Sequence, residues 1–97
     1  MTDTRLTDEQ IASGLTGTAW HREGETIVRD LQRENFLAVI AAVNQVAELA
    51  EAANHHPDLL VHGWNRLRIT LSTHSAGGLT AADLALAERI DGVLGGG

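Results

Sequence analysis

Five imidazoles in 97 residues give this sequence its first chemical content, and three of them, His55, His56 and His74, are of interest. An imidazole with an ordinary pKa of about 6.5 gains or loses a proton near neutrality, which suits it to general acid and base work. Around the three stand Glu51, one helical turn before His55, then Asn54 and Pro57 flanking the His-His pair, Trp64, Thr73 directly before His74, and Asp83. Each has a plainer use. His55 and His56 at a helix end can cap carbonyls and complement the negative end of the dipole. Asp83 can serve as the third residue of a capping box, Glu51 can orient an imidazole or be solvated, and Trp64 can pack, meet a neighbouring subunit or wall a flat ligand. His74 lies between a strand and a Gly-Gly loop, where binding residues are often mounted on a rigid frame. His21 and His62 have no partner at a meaningful spacing and read as structural or surface residues.

Other chemistries fit poorly. Adjacent His55 and His56 diverge if extended, and no cysteine is present to complete a site of the usual kind, so no metal is expected. Ser72, Ser75, Thr73 and Thr80 belong to no nucleophile elbow. Gly77-Gly78 is followed by no lysine and matches neither a P-loop nor a dinucleotide fingerprint, and no cofactor is expected. Seven basic against thirteen acidic residues, a net charge of −6, argue against nucleic acid, whose phosphates need a basic face. The longest apolar run, Phe36 to Val43, falls short of the roughly 20 residues of a membrane span, so no membrane partner is expected. The first residues lack both a basic start and a hydrophobic segment, which makes the cytoplasm the expected location.

The elements that must position these side chains follow from periodicity. Thr7-Asp8-Glu9-Gln10 is a capping box that starts a short helix with Ile11 and Leu15 on one stripe. From Thr18 to Gln32, alternation around a Glu23-Gly24-Glu25 turn predicts a β-hairpin, with Ile27, Arg29 and Leu31 on one face. Phe36, Val39, Ile40, Val43, Val46, Ala47 and Ala50 recur at helical spacing and predict a helix from about Asn35 to about Ala53, ended by Pro57. Leu59 to His62 and Leu67 to Thr73 predict a second hairpin through Gly63-Trp64-Asn65-Arg66, with Leu67, Ile69, Leu71 and Thr73 on one face. Thr80-Ala81-Ala82-Asp83 is a second capping box, after which Leu84, Ala87, Ile90 and Val93 or Leu94 form the buried stripe of a last helix. The expected fold is therefore a single α+β domain over residues 1–97, a two-layer sandwich with a four-stranded antiparallel sheet and helices packed on one face. The bare face must meet solvent or another subunit.

The order Glu51, His55-His56-Pro57, Trp64, His74, Gly78-Leu79-Thr80 and Asp83 closely resembles the signature of the pterin-4a-carbinolamine dehydratase family, and the likeness covers essentially the whole chain. That resemblance implies a hydro-lyase that converts a 4a-hydroxytetrahydropterin, such as 4a-hydroxytetrahydrobiopterin, to the quinonoid dihydropterin plus water, in tetrahydrobiopterin recycling. It implies no cofactor and no metal, and a homodimer or homotetramer. Carried over residue by residue, His55 and His74 would be acids facing the two hydroxyl stereoisomers, and His56 would mainly hold the pterin ring. Glu51 would orient or polarise the histidines, Asp83 would bond the site from the helix start, and Trp64 would help wall the heterocycle. Asn54, Pro57 and Thr73 would belong to the binding or orienting set. The chain departs from many relatives at Leu59 (an aromatic), Asn54 (Asp) and Ala82 (a basic residue), and in having Phe36 as the only phenylalanine of the long helix. These positions bear on the pocket wall. Some relatives are non-enzymatic dimerisation cofactors or RuBisCO assembly proteins, which makes a binding or assembly role the alternative.

Overall fold

The computed structural model describes residues 4–95. Along them run α1 (Asp8–Leu15), β1 (His21–Glu23), β2 (Thr26–Gln32), α2 (Phe36–Ala53), β3 (Asp58–His62), β4 (Arg66–Leu71), a single 3-10 turn (His74–Ala76) and α3 (Ala81–Leu94). The strands form one antiparallel sheet in the order β1-β2-β4-β3, so both hairpins are adjacent pairs and the two are joined through β2 and β4. The helices cover one face, as the pattern predicts.

Local chemistry sets the element ends. Thr7 and Gln10 exchange the two bonds of a capping box at α1, and the Asn35 side chain accepts from the Ala38 N–H to start α2. Between β1 and β2 a two-residue turn has positive φ at Gly24 (62°) and not at Glu25, the II′ arrangement whose twist matches the flanking strands. The hairpin is shorter than predicted, with only three residues in β1. The chain before β1 instead sends Trp20 into the core, where its indole N–H donates to Asp91 Oδ1 at 2.9 Å.

The core lies between sheet and helices. Ile27, Leu67, Ile69 and Leu71 from the sheet meet Val39, Ala42 and Val46 of α2 and Leu86, Ala87 and Ile90 of α3. Two helix stripes differ from their sequence expectation. In α2, Phe36 and Ala47 are exposed and Ala42 is buried instead, because a helix apolar on nearly all sides fits several three-four stripes and only contact with the sheet selects one. In α3, Asp83, Leu86, Ala87 and Ile90 form the buried face, Val93 is exposed, and Leu84 is turned partly toward α1. There a Cβ at Gly14 would come 2.6 Å from Leu84 Cδ1, so the missing side chain is what lets α1 and α3 approach.

The alternation of β2 places Arg29 under the helices, as predicted, and burial of that charge requires partners. Asp91 supplies one at 2.5 Å and the Gly95 carbonyl another at 2.7 Å, tying the end of α3 to the middle of the sheet. On the bare face, Arg68 of β4 donates twice to Asp30 of β2, at 2.8 and 3.0 Å, with Glu23 and His21 beside them.

By length and composition α2 is long and apolar enough to cross a membrane, with mean hydropathy 1.5 over 18 residues. One of its faces nevertheless belongs to the core just described, and the surplus apolarity lies on the other, where Leu37 is 78% exposed.

Two outcomes follow from these ties. Asp91→Ala leaves the Arg29 guanidinium buried beside a lost anion and is expected to lower stability by about 3 kcal/mol in urea unfolding; an unchanged midpoint would contradict the tie. The Arg68 hydrogen bond holds the Asp30 carboxyl below its ordinary pKa. Its folded value is therefore below its unfolded one, so the pair stabilises the fold above the unfolded pKa and that contribution fades as pH falls through the folded value. In Arg68→Met, the Asp30 titration followed by NMR is expected to move up, and a titration that stays in place would contradict this assignment.

Candidate active site

The end of α2 decides where the His-His pair goes. Asn54 takes the left-handed conformation (φ 51°, ψ 43°), and its N–H donates to the Ala50 and Glu51 carbonyls while the His55 N–H reaches back to Ala50 at 3.1 Å. This is a helix stop of the Schellman type, in which a residue that tolerates positive φ reverses the chain. Pro57 is thus not what ends α2, contrary to the sequence expectation: the helix has closed by Asn54, and Pro57 leads into β3, which starts at Asp58.

The reversal throws the two imidazoles apart, as their adjacency suggests. His55, with its side chain only 16% exposed, turns inward so that Nε2 lies 2.6 Å from Asp83 Oδ1. His56 stays at the surface with Nε2 2.5 Å from Glu51 Oε2, and both partners of that pair are more than half exposed. Glu51 therefore orients His56, although its spacing from His55 is one helical turn.

Asp83 is completely buried. Its Oδ2 accepts the Thr80 N–H at 2.9 Å and the Thr73 hydroxyl at 2.7 Å, leaving Oδ1 for His55. The capping box, expected from the sequence, and the histidine contact, which it did not specify, are made by the two oxygens of one carboxylate. Because a carboxylate only accepts, Thr73 must donate to it, and Thr80 Oγ1, 2.8 Å away, must donate to Thr73 while accepting the Ala82 N–H at 3.2 Å. The chain of donors runs one way from the first turn of α3 to Asp83. By the same rule His55 donates through Nε2, which leaves Nδ1 as the ring atom that can take or give a proton.

Thr73 and Gly78 pair through both backbone amides, pinching off the loop that carries His74. Gly77 (φ 71°) makes the return, and His74 sits exposed on the 3-10 turn, one residue from the Thr73 hydroxyl. The Arg5–Glu25 pair lies over Gly78, where a Cβ would come 2.8 Å from both Arg5 Nε and Glu25 Oε1 and would move those side chains. Between the end of α2 and the start of α3 opens a cavity of about 270 Å³ lined by Ala52, Ala53, His55, Ala82, Ala85, Leu86 and Arg89.

The structure therefore brings His55, Thr73 and Asp83 into one hydrogen-bonded cluster, with His74 at its edge, Glu51–His56 alongside, and Asn54 and Pro57 flanking. Trp64 is elsewhere. It occupies the β3–β4 turn at the other end of β4, whose six residues span roughly 20 Å at about 3.3 Å each. Trp64 is 63% exposed and has φ 58°, and within the same chain it stands apart from the His55 cluster. The sequence assigns Thr80 a capping role and a place in the signature but not its bond to Thr73, and nothing local distinguishes Arg89. No group of three or more potential metal ligands occurs among the described residues.

A family model described as pterin 4 alpha carbinolamine dehydratase matches residues 4–93. A protein of Nocardia farcinica named "Putative pterin-4-alpha-carbinolamine dehydratase" is 52% identical over 92 residues, 94% of this chain and 96% of that protein. One of the same name from Chloroflexus aurantiacus is 49% identical over 92 residues, covering 94% and 98%. Among solved structures, a transcriptional coactivator/pterin dehydratase from Brucella melitensis superposes with TM-score 0.88 at 29% identity, covering 95% of this chain and all of that one. A pterin dehydratase-like RuBisCO assembly factor of the alpha-carboxysome shares the fold, with TM-score 0.64 at 20% identity over 87% of this chain and 96% of that one.

Asp83→Asn puts an amide N–H₂ among groups that are all donors. It is expected to cost about 1–3 kcal/mol and to release the His55 ring. Imidazole ¹⁵N shifts should show the His55 proton fixed on Nε2 in the wild type and redistributed in the variant; identical spectra would contradict the donor chain.

Proposed function

The chain belongs to the pterin 4 alpha carbinolamine dehydratase family, and from that premise we propose that it is a hydro-lyase that dehydrates a 4a-hydroxytetrahydropterin to the quinonoid dihydropterin. The observation that carries this reading is the His55–Asp83 pair at the lip of a cavity, a partly buried imidazole held by a wholly buried carboxylate. The reaction breaks the C4a–O bond. The leaving hydroxyl takes a proton and departs as water, the adjacent ring nitrogen gives its proton to a base, and the electron pair released from that N–H forms the C=N bond.

Imidazoles suit both transfers near neutral pH. In this mechanism His55 presents Nδ1 to the substrate while Asp83 fixes the ring through Nε2 and faces the positive charge whenever Nδ1 is also protonated. His74, on its pinched loop, supplies the second proton carrier. His56, oriented by Glu51, holds the heterocycle from the solvent side. Asn54, Pro57 and Thr73 act by placing these groups. Tetrahydrobiopterin recycling is the setting in which such a product is used.

The second reading is a binding or assembly role, alone or beside catalysis. Its support is apolar surface away from the histidines: Phe36 and Leu37 on α2, Leu60 on the edge strand β3, and Trp64, all at least half exposed. Exposed large apolar side chains commonly take part in association, and we assign them to a homodimer or homotetramer. Trp64 then meets a neighbouring subunit rather than the pterin of its own chain.

The test is a rapid assay with chemically generated 4a-hydroxytetrahydropterin, following formation of the dihydropterin. The wild type should accelerate dehydration. His55→Ala and His74→Ala should each lose about 10²-fold or more, the worth of a positioned acid or base, with the fold preserved by circular dichroism. Full turnover in the double variant would overturn the assignment, and a folded wild type without acceleration would leave the association role.

A further inference from the structure

All seven basic residues of this acidic chain are arginines, and five are engaged. Arg5 pairs with Glu25, Arg22 with Asp8, Arg29 with Asp91 and Arg68 with Asp30, while Arg33 donates to the Leu94 carbonyl. Arg66 and Arg89 make no hydrogen bond or ion pair among the described residues. Arg66 lies on the bare sheet face beside His62, at the opposite end of β4 from Thr73 and His74. Arg89 lines the cavity that His55 also lines.

Its position on α3 explains why it is free. The residues three and four away on the helix are Leu86, Ala85, Gly92 and Val93, none of them an acid. Glu88 turns instead to a separate groove with Trp20 and Asp91. The rest of the cavity is four alanines and a leucine, so its polar groups are one imidazole and one guanidinium. A protein of net charge −6 repels anions at long range, and a forked cation left unpaired beside the proposed proton carrier opposes that field locally.

We propose that Arg89 is a specificity-determining residue of the pterin site and selects substrates that carry an anionic group, a carboxylate or a phosphate, on the pterin side chain. This rests on the dehydratase reading. The guanidinium offers parallel N–H donors that match either anion two at a time, whereas a hydroxylated neutral side chain gives it one weak acceptor. The alanines of the cavity leave room for the substituent without competing for it. A purely structural use also exists, since Arg89 stands near the carbonyl end of α2 at Ala52 and Ala53 and a cation there complements the helix dipole. That use predicts a loss of stability and no change in ligand preference.

Fluorescence titration of the full chain with 6-hydroxymethylpterin, pterin-6-carboxylate and the phosphate ester of the first compound separates these uses. The wild type should bind at least one anion about tenfold or more tightly than the neutral pterin, the scale of a hydrogen bond to a charged group. Arg89→Gln should bring that ratio to near one, and Arg89→Lys should keep part of it. The two anions, run separately, identify which one is preferred. Equal binding of neutral and anionic pterins by the wild type, or a preference that survives Arg89→Gln, would overturn the proposal. The dehydration assay on an uncharged 4a-hydroxytetrahydropterin is read alongside. Dehydration without anion preference removes only the role of Arg89, and absence of both dehydration and pterin binding removes the dehydratase reading with it.

Discussion

A carboxylate with no exposed surface is costly unless every lone pair it presents is used, and Asp83 meets that condition by drawing on three separate parts of the chain. The Thr80 amide comes from the start of α3, the Thr73 hydroxyl from beyond β4, and the His55 imidazole from just past α2. Releasing any one of them leaves a buried charge short of a partner. The helix start, the strand end and the histidine are therefore fixed relative to one another by the solvation of a single ion. The backbone pairing of Thr73 with Gly78 then transmits that fixed point to the loop bearing His74.

The two histidine–carboxylate pairs differ in what surrounds them. His55 and Asp83 are shielded, so their geometry is held by the low local dielectric and by the donor chain behind the carboxylate. His56 and Glu51 meet in solvent, where water competes for both and an ion pair contributes little to stability. One imidazole is set in place before any ligand arrives, and its neighbour can adjust around one. That division suits a site in which proton transfer needs a fixed atom and a flat ring needs a movable clamp.

The same economy of burial explains the surfaces left over. Arg29 is taken into the core only because Asp91 and the Gly95 carbonyl just past α3 satisfy most of it, which anchors the far end of α3 while Asp83 anchors the near end. With both ends of α3 tied to the sheet, α2 packs through a narrow stripe of valines and alanines and keeps a second apolar face outward. A chain of this length buries a modest fraction of its surface alone, which makes further association a natural use of that face.

Much of this was legible without coordinates. Both capping boxes, the glycine turn, the long helix and the inward alternation of Leu67, Ile69, Leu71 and Thr73 depend on neighbours within a few residues, and local rules place them well. The family also follows from residues whose order is visible in the sequence. What the sequence left open are choices between partners of similar spacing. Glu51 lies one turn from His55 yet bonds His56, because the left-handed Asn54 rotates the chain after the helix has ended. Asp83 completes the expected capping box with one oxygen and holds His55 with the other, a partner the sequence did not specify. Trp64 lies at the far end of β4 although only nine positions separate it from Thr73, since an extended strand turns a short sequence interval into a long distance. Arg89 joined the cavity through a packing of α2 on α3 that no periodicity specifies. Sequence alone determined the elements and the inventory of proton carriers, because those depend on local geometry and residue type. Which carboxylate holds which imidazole, and which cation faces them, was decided by the tertiary structure, because Asp83 and Arg89 stand 28 and 34 positions from His55.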